Sequence, residues 1–562
     1  VYATRSRGGY ERAAATTAAT PAASGGDAAS THDRRENESI SSPAALARVV
    51  VKAPAEEPPL LATTHASTLI GLDSHPVQVE VDIARGLPAF DLVGLAEVAV
   101  RESRTRVRAA IEQAGYLFPL RRVTVNLAPA DVKKSGTGFD LAIAVATLAA
   151  SGDCPAEGLD SWIMLGELSL TGSVRPVRGI LPQVLAARDR GVRGAIVPLE
   201  NGAEAAVVEG IEVRGAETLR GVCEFLSGRA ELPLIDRTRV VDFATGDALE
   251  VLDLLDVRGQ SHAKRALEIA AAGGHNVLLM GPPGGGKTML ARALPALLPP
   301  LTFREAMEVT AVHSVAGTLR AGVSLLRDRP FRAPHHTASA AGLAGGGDPP
   351  RPGEIALAHN GVLFLDELPE FPRESLEALR EPLEEGHITI VRARSRARYP
   401  ARFTLVAAMN PCPCGYAGDP SDRCDCAEER VKRYRGRVSG PLMDRIDLLV
   451  PLPPVRAAQL TEGASGPSSA EVRARVATAR DVAVARSGDC NARLNVRQLR
   501  EVAALDAMST RLLTDASDRL GLSARAIHRV MKLARTIADL DASAGVLAHH
   551  LAEAIGYRVT GA

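Results

Sequence analysis

The sequence predicts a multidomain α/β protein that ends in helices, and three observations carry this. The chain has 562 residues, too many for one core when domains average about 150 residues. Two regions mix alternating apolar strands with segments of helical period, and past Pro453 the strand pattern disappears. Hydrophobic residues make up 46% of the chain, enough for several cores, and no run approaches the ~18 apolar residues of a membrane span. Lysine plus arginine and aspartate plus glutamate both total 66, so net charge favours no class of partner and only local patches can. Seven cysteines in so long a chain do not form a disulfide framework, and no apolar signal segment is present. Both points lead us to expect a reducing cytoplasm.

Residues 1–62 have little periodic hydrophobicity, as in A-A-A-T-T-A-A-T-P-A-A-S-G-G, and read as a disordered low-complexity tail. The chain starts at Val1 with no methionine before Met164, as an over-extended start or a fragment's edge would. Asp27, Asp33, Glu36 and Glu38 argue against a transit peptide. Residues 63–228 form a mixed α/β unit. V-Q-V-E-V-D-I (Val77 to Ile83) and R-R-V-T-V-N-L (Arg121 to Leu127) alternate as half-buried strands do. Ala99 to Gly115 has helical spacing with a closing glycine, and L-A-I-A-V-A-T-L-A-A-S-G predicts a second helix. A polar linker covers 229–255, a second α/β unit 256–455, and a helical bundle 470–562, entered through the loop G-A-S-G-P-S-S.

The sharpest motif is N-V-L-L-M-G-P-P-G-G-G-K-T, Asn276 to Thr288. An apolar strand runs into Gly281, Pro282, Pro283, Gly284, Gly285, Gly286, Lys287 and Thr288, and then into a helix. Glycines let backbone N–H groups curl round phosphates, Lys287 neutralises the β/γ oxygens, and Thr288 offers a hydroxyl to Mg²⁺. A second strand, G-V-L-F-L-D-E-L, ends in Asp366, suited to Mg²⁺, and Glu367, suited to polarising a water. Alone, that pair would serve equally well as a helix cap. A third strand, F-T-L-V-A-A-M-N, ends in Asn410, whose amide can hold the lytic water or touch the γ-phosphate. Arg445 in L-M-D-R-I-D and Arg525 in L-S-A-R-A-I-H-R-V complete the set as cations for the transferring phosphoryl group.

Together these residues resemble one family, the magnesium-chelatase-like AAA+ ATPases of the YifB/ComM type, over about residues 65–562. Its markers are G-L-P-A-F-D-L-V-G-L, V-N-L-A-P-A-D, G-Q-S-H-A-K-R-A-L-E-I-A-A-A-G-G-H-N, F-R-A-P-H-H-T-A-S and M-N-P-C-P-C-G-Y. The resemblance implies three folded parts: an N-terminal α/β domain like the Lon protease C-terminal domain and ribosomal protein S5, an AAA+ P-loop α/β/α core, and a C-terminal helical lid. It also implies a ring, usually a homo-hexamer, that binds ATP and Mg²⁺. By similarity, Lys287 and Thr288 are the Walker A pair, Asp366 and Glu367 Walker B, Asn410 sensor 1, Arg445 the arginine finger and Arg525 sensor 2. Gly259 and Gln260 would flank the adenine. The implied function is a helicase-like motor that drives DNA translocation or branch migration in recombination or natural transformation, alongside recombination proteins. The alternative is a chelatase-like or protein-remodelling motor that does not act on DNA. The expected discriminator is the Lon-like unit, which by resemblance the chelatase motors lack.

Peptidase chemistry is not expected. By the resemblance to Lon-type peptidases, the nucleophile slot in V-K-K-S-G-T-G-F-D-L falls on Gly138 and the lysine slot on Leu181. Between the second and third strands, G-H-I-T-I-V-R-A-R-S-R-A-R-Y-P-A-R-F predicts a hairpin with a tip near Arg394, Ser395 and Arg396. In related rings such a hairpin points into the pore. Arg392, Arg394, Arg396, Arg398 and Arg402 suit phosphate contacts, although a solvated basic hairpin would read the same. His335 and His336 are assigned no metal; their loop suits sensing of nucleotide or substrate. Cys412, Cys414, Cys424 and Cys426 are spaced C-x-C, nine residues, C-x-C. A structural Zn²⁺ site, reduced thiols without metal, and a redox pair all remain open.

Overall fold

Alternation in the first α/β unit becomes strands with one buried face, at Asp73–Ala84 and Arg122–Ala128. In the computed structural model, residues 60–237, 252–392, 395–418, 423–454 and 466–558 are described, all within one unit spanning 57–562. Most of the predicted tail therefore lies outside the described residues, whereas Leu61 and Ala62 already belong to the first strand.

Seven strands build the N-terminal sheet: β1 (Leu61–Ile70), β2 (Asp73–Ala84), β3 (Ala89–Val93), β4 (Arg122–Ala128), β5 (Trp162–Met164), β6 (Gly194–Pro198) and β7 (Glu212–Ala216), in the order β3-β4-β2-β1-β5-β6-β7. Val77, Val79, Val81 and Ile83 on β2 are buried while Gln78 and Asp82 face out, as a period of two requires. Two helices cover this face. Helix α1 (Ser103–Gln113) follows a separate short turn, and α2 (Asp140–Ser151) is buried along nearly its whole length. Arg106 on α1 pairs with the buried Asp140 that opens α2. In the segment predicted as a linker, Leu232 is buried and Gly215 N–H donates to Pro233 O, so residues 232–235 pack along β7. At its far end, Leu254 enters the core of the second unit and its N–H donates to Ser469 Oγ.

The second sheet is wholly parallel. Its strands are β8 (Val277–Met280), β9 (Phe331–Arg332), β10 (Val362–Leu365), β13 (Thr404–Met409) and β14 (Leu448–Pro451), in the order β9-β10-β13-β8-β14. A separate antiparallel hairpin joins β11 (His387–Arg392) to β12 (Ser395–Pro400). Strands β8, β10 and β13 are near-continuous apolar runs because helices cover both faces. The chain order reverses around β8, and in open α/β sheets ligands bind at such a switch point, beyond the carboxyl ends of the strands.

Helix α3 (Ile180–Asp189) of the first unit lies against α6 (Phe303–Ala316) of the second. Met307 and Ala311 of α6 pack into the cluster around Leu181 and Val184, and Ser314 donates to the buried carboxylate of Glu204. The C-terminal region contains α7 (Ser469–Ser487), α8 (Ala507–Leu520), α9 (Ala524–Leu540) and α10 (Ala548–Gly556). A capping box starts α7, in which Ser468 and Glu471 satisfy each other's end of the turn. Arg475 of α7 reaches Glu268 on α4 (Ser261–Gly273), at 2.6 Å, which docks the helical region on the sheet. Among the described residues, no helix is long and apolar enough to cross a membrane.

Candidate nucleotide site

The loop Gly281–Gly286 leaves the carboxyl end of β8 and enters α5 (Lys287–Leu297). Gly286 caps that helix with φ +83°, a left-handed conformation that costs glycine little. Lys287 Nζ donates to Gly281 O (2.7 Å), Pro282 O (2.9 Å) and Asn410 Oδ1 (3.0 Å). The lysine that opens α5 and the strand-end amide are therefore in direct contact across 123 residues of sequence. Burial holds the Lys287 ammonium below its ordinary pKa, while Asp366 and Glu367 pull the other way. Thr288 Oγ1 donates to Asp366 Oδ2 at 2.9 Å, bringing together the two oxygens expected to share a divalent cation.

Glu367 follows with φ +52°, a left-handed turn, and its N–H donates to Asp366 Oδ1 at 2.9 Å. The Glu367 carboxylate lies 3.0 Å from His336 Nδ1, and the His336 ring sits against His335 with centroids 4.1 Å apart. Sequence reasoning singled out this histidine pair without connecting it to Glu367. Only β9 and β10, adjacent in the sheet, bring the two loops together. Gln260, also at positive φ (+55°), donates to Pro453 O at 2.8 Å and to Gly285 O at 3.3 Å, closing the site beside the phosphate loop.

Arg445 and Arg525 are elsewhere. Both line a cavity of about 510 Å³ with Asn276, Phe403 and Asp447, at the amino ends of β8, β13 and β14. Strand β8 is four residues long, so roughly 13 Å of strand separates this cavity from the phosphate loop. Arg445 is buried and bonded to Glu384 and Pro441 O. Glu384, which has no motif of its own, was not among the predicted residues. Arg529, Lys532, Arg493 and Arg402 add positive charge to the same cavity.

On the hairpin, Arg396 and Arg398 are exposed while Ala397 and Tyr399 between them are buried. Tyr399 donates its hydroxyl to Pro350 O at 2.8 Å, which anchors the strand beneath the arginines. Arg392 is exposed on the opposite strand, Arg394 lies outside the described residues, and Arg402 turns towards Asp489 at 4.0 Å. In the first unit, Leu181 is buried and its N–H donates to Glu204 at 2.9 Å. The Sγ atoms of Cys412, Cys414, Cys424 and Cys426 all lie within 4.8 Å of one another.

Residues 253–460 match the family described as magnesium chelatase, subunit ChlI, and residues 466–558 its C-terminal part. The competence protein ComM of Haemophilus influenzae is 46% identical over 503 residues, covering 89% of this chain and 97% of that protein. The chain belongs to the YifB/ComM family of magnesium-chelatase-like proteins. The YifB protein of Escherichia coli, itself uncharacterized, is 46% identical over 500 residues, 89% of this chain and 97% of that one. A shorter stretch of 96 residues, 17% of the chain, is 32% identical to 10% of the DNA replication licensing factor Mcm6 of Drosophila melanogaster. Residues 79–201 match a family described as subunit ChlI of Mg-chelatase. That match falls on the N-terminal unit. The mixed α/β architecture with an AAA+ core and a C-terminal helical region agrees with family membership.

Proposed function

We propose that this protein is a ring-forming ATPase that couples ATP hydrolysis to movement on DNA. The observation that carries the hydrolytic part is the convergence of Lys287, Thr288, Asp366 and Asn410 at the carboxyl ends of three adjacent strands. In this reading the loop amides and Lys287 bind the phosphates. Bound Mg²⁺ would neutralise developing charge on the phosphoryl group. Thr288 and Asp366 hold that ion, Glu367 polarises the attacking water, and Asn410 positions the water or the γ-phosphate. Gln260 flanks the base. Arg445 and Arg525 serve a neighbouring subunit, since a strand's length separates them from their own phosphate loop. The functional unit is then a ring, with a homo-hexamer as the proposed size.

DNA as the track is supported by three points: the competence designation of one relative, the local likeness to a replication factor, and the outward arginines Arg392, Arg396 and Arg398. Branch migration during recombination or natural transformation is the proposed role. We read the N-terminal unit as a scaffold without peptidase activity, because Gly138 and Leu181 occupy the nucleophile and lysine slots. The cysteine cluster is proposed to hold a structural Zn²⁺. A motor acting on protein or in chelation is the second reading, favoured by the chelatase family matches. ATPase assays with single-stranded, duplex and branched DNA separate the two. Stimulation by branched DNA is expected, and indifference to every DNA would favour the second reading.

A further inference from the structure

We infer that Cys412, Cys414, Cys424 and Cys426 form a tetrahedral Zn²⁺ site whose occupancy sets the shape of the ATP pocket. This rests on the nucleotide reading above and extends it to the site's regulation. Four thiolates bound at about 2.3 Å in a tetrahedron place their sulfurs roughly 3.8 Å apart. The observed separations are close to that: 3.7 Å for Cys412–Cys424, 3.6 Å for Cys414–Cys424 and 3.2 Å for Cys412–Cys414. None of these pairs is bonded as a disulfide. Cys412 is fully buried, and its sulfur accepts the Ala417 N–H at 3.2 Å, the kind of backbone contact that steadies a metal-bound thiolate. Four soft thiolates around one small volume select Zn²⁺ over harder divalent ions.

The consequence lies in what the first two cysteines frame. The Gly415 N–H donates to Cys412 O at 3.0 Å, closing a tight turn, and Gly415 has φ +89°. A methyl group on Gly415 would come within 2.7 Å of Pro283 Cδ, in the middle of the phosphate loop, and 3.9 Å of the Asn410 side chain. The cysteine turn is therefore packed directly against both the loop that binds phosphates and the residue that holds Lys287. On the far side, Arg435 donates Nε to Pro411 O at 3.1 Å, tying the turn to the helix that follows Cys426. With Zn²⁺ bound, the turn is a rigid wedge behind Pro283; without it, no shared ion ties the four sulfurs together and the wedge loosens.

The test uses the full chain purified without chelator. About one Zn²⁺ per chain by elemental analysis is expected, and less than ~0.2 overturns the site. Releasing zinc with a mercurial thiol reagent and chelator, then reversing the modification with thiol, should weaken ATP binding at least about tenfold, and added Zn²⁺ should restore it. Gly415→Ala should keep its zinc and still weaken ATP binding about tenfold, by pressing on Pro283. If zinc is present but its removal and the Gly415→Ala change both leave ATP affinity unaltered, the coupling is wrong. Replacing all four cysteines by serine should abolish zinc content, and zinc retained in that variant would place the metal elsewhere. Zinc at full occupancy in a protein that never binds ATP would instead overturn the nucleotide reading, leaving the metal site standing.

Discussion

Lys287 holds together the two halves of the nucleotide site, bonding loop carbonyls on one side and Asn410 on the other. Removing it takes away both the cation and the link, so Lys287→Ala should weaken ATP binding by about two orders of magnitude in a fluorescence titration. Glu367 is different, because its carboxylate pairs with His336 rather than with Lys287 or Thr288. Glu367→Gln should bind ATP nearly as well as the parent while losing roughly 10²- to 10⁴-fold in turnover, the range for a lost general base. His336 engages that same carboxylate at 3.0 Å, and a carboxylate held by an imidazole is less free to accept a proton from water. We expect His336→Ala to raise basal hydrolysis roughly two- to tenfold as the free Glu367 conformation gains population. Unchanged turnover in steady-state assays would show that the contact is incidental.

Asp447, at the entry to β14, shows how single elements are bound into the core. Its buried carboxylate meets His275 at 3.3 Å, Arg529 of α9 at 2.6 Å and the Asn276 N–H at 3.2 Å, so β8, β14 and the helical region share one anion. Despite burial, which pushes the other way, bonding to His275 and attraction from His275 and Arg529 hold it well below the usual carboxylate range. A depressed folded pKa means the stabilisation is complete above the unfolded value near 4 and is lost as pH falls through the lower folded value. Asp447→Asn should therefore destabilise by about 3 kcal/mol at pH 7, and the gap from the parent should close in denaturant melts below pH 4. For the hairpin, each phosphate contact contributes a slope of roughly 0.7–0.9 in log affinity against log salt. Losing Arg396 and Arg398 together should flatten that slope by about 1.5 while basal ATPase persists; an unaltered slope removes the hairpin from the DNA path.

At the level of the whole molecule, the proposed function makes hydrolysis a property of the assembly, because Arg445 and Arg525 lie away from Lys287. Lys287→Ala and Arg445→Ala proteins should each be inactive alone. Mixed one to one in a ring, about a quarter of interfaces would pair an intact phosphate loop with an intact arginine. Recovery of activity on mixing is expected, and its absence in an assembled mixture would mean that Arg445 does not serve a neighbour. The buried contact between Ser314 of α6 and Glu204 joins the AAA+ core to the N-terminal unit.

Strand-end chemistry was legible in the sequence because it is local. A glycine-rich turn, a carboxylate pair and an amide each follow an apolar run, so Lys287, Thr288, Asp366, Glu367 and Asn410 can be named from pattern alone. Hairpin arginines were legible for the same reason, through their alternation with Ala397 and Tyr399. The pairing of His336 with Glu367, the fit of Gly415 behind Pro283 and the anion shared at Asp447 were not legible. Each joins segments 31 to 172 residues apart, and such contacts follow from strand order and helix packing, which no local pattern encodes. The sequence by itself determined which residues could bind and cleave a phosphoanhydride. Only the tertiary structure decided which of them share one site, because parallel strands put Lys287 at one end of the sheet and Arg445 and Arg525 at the other.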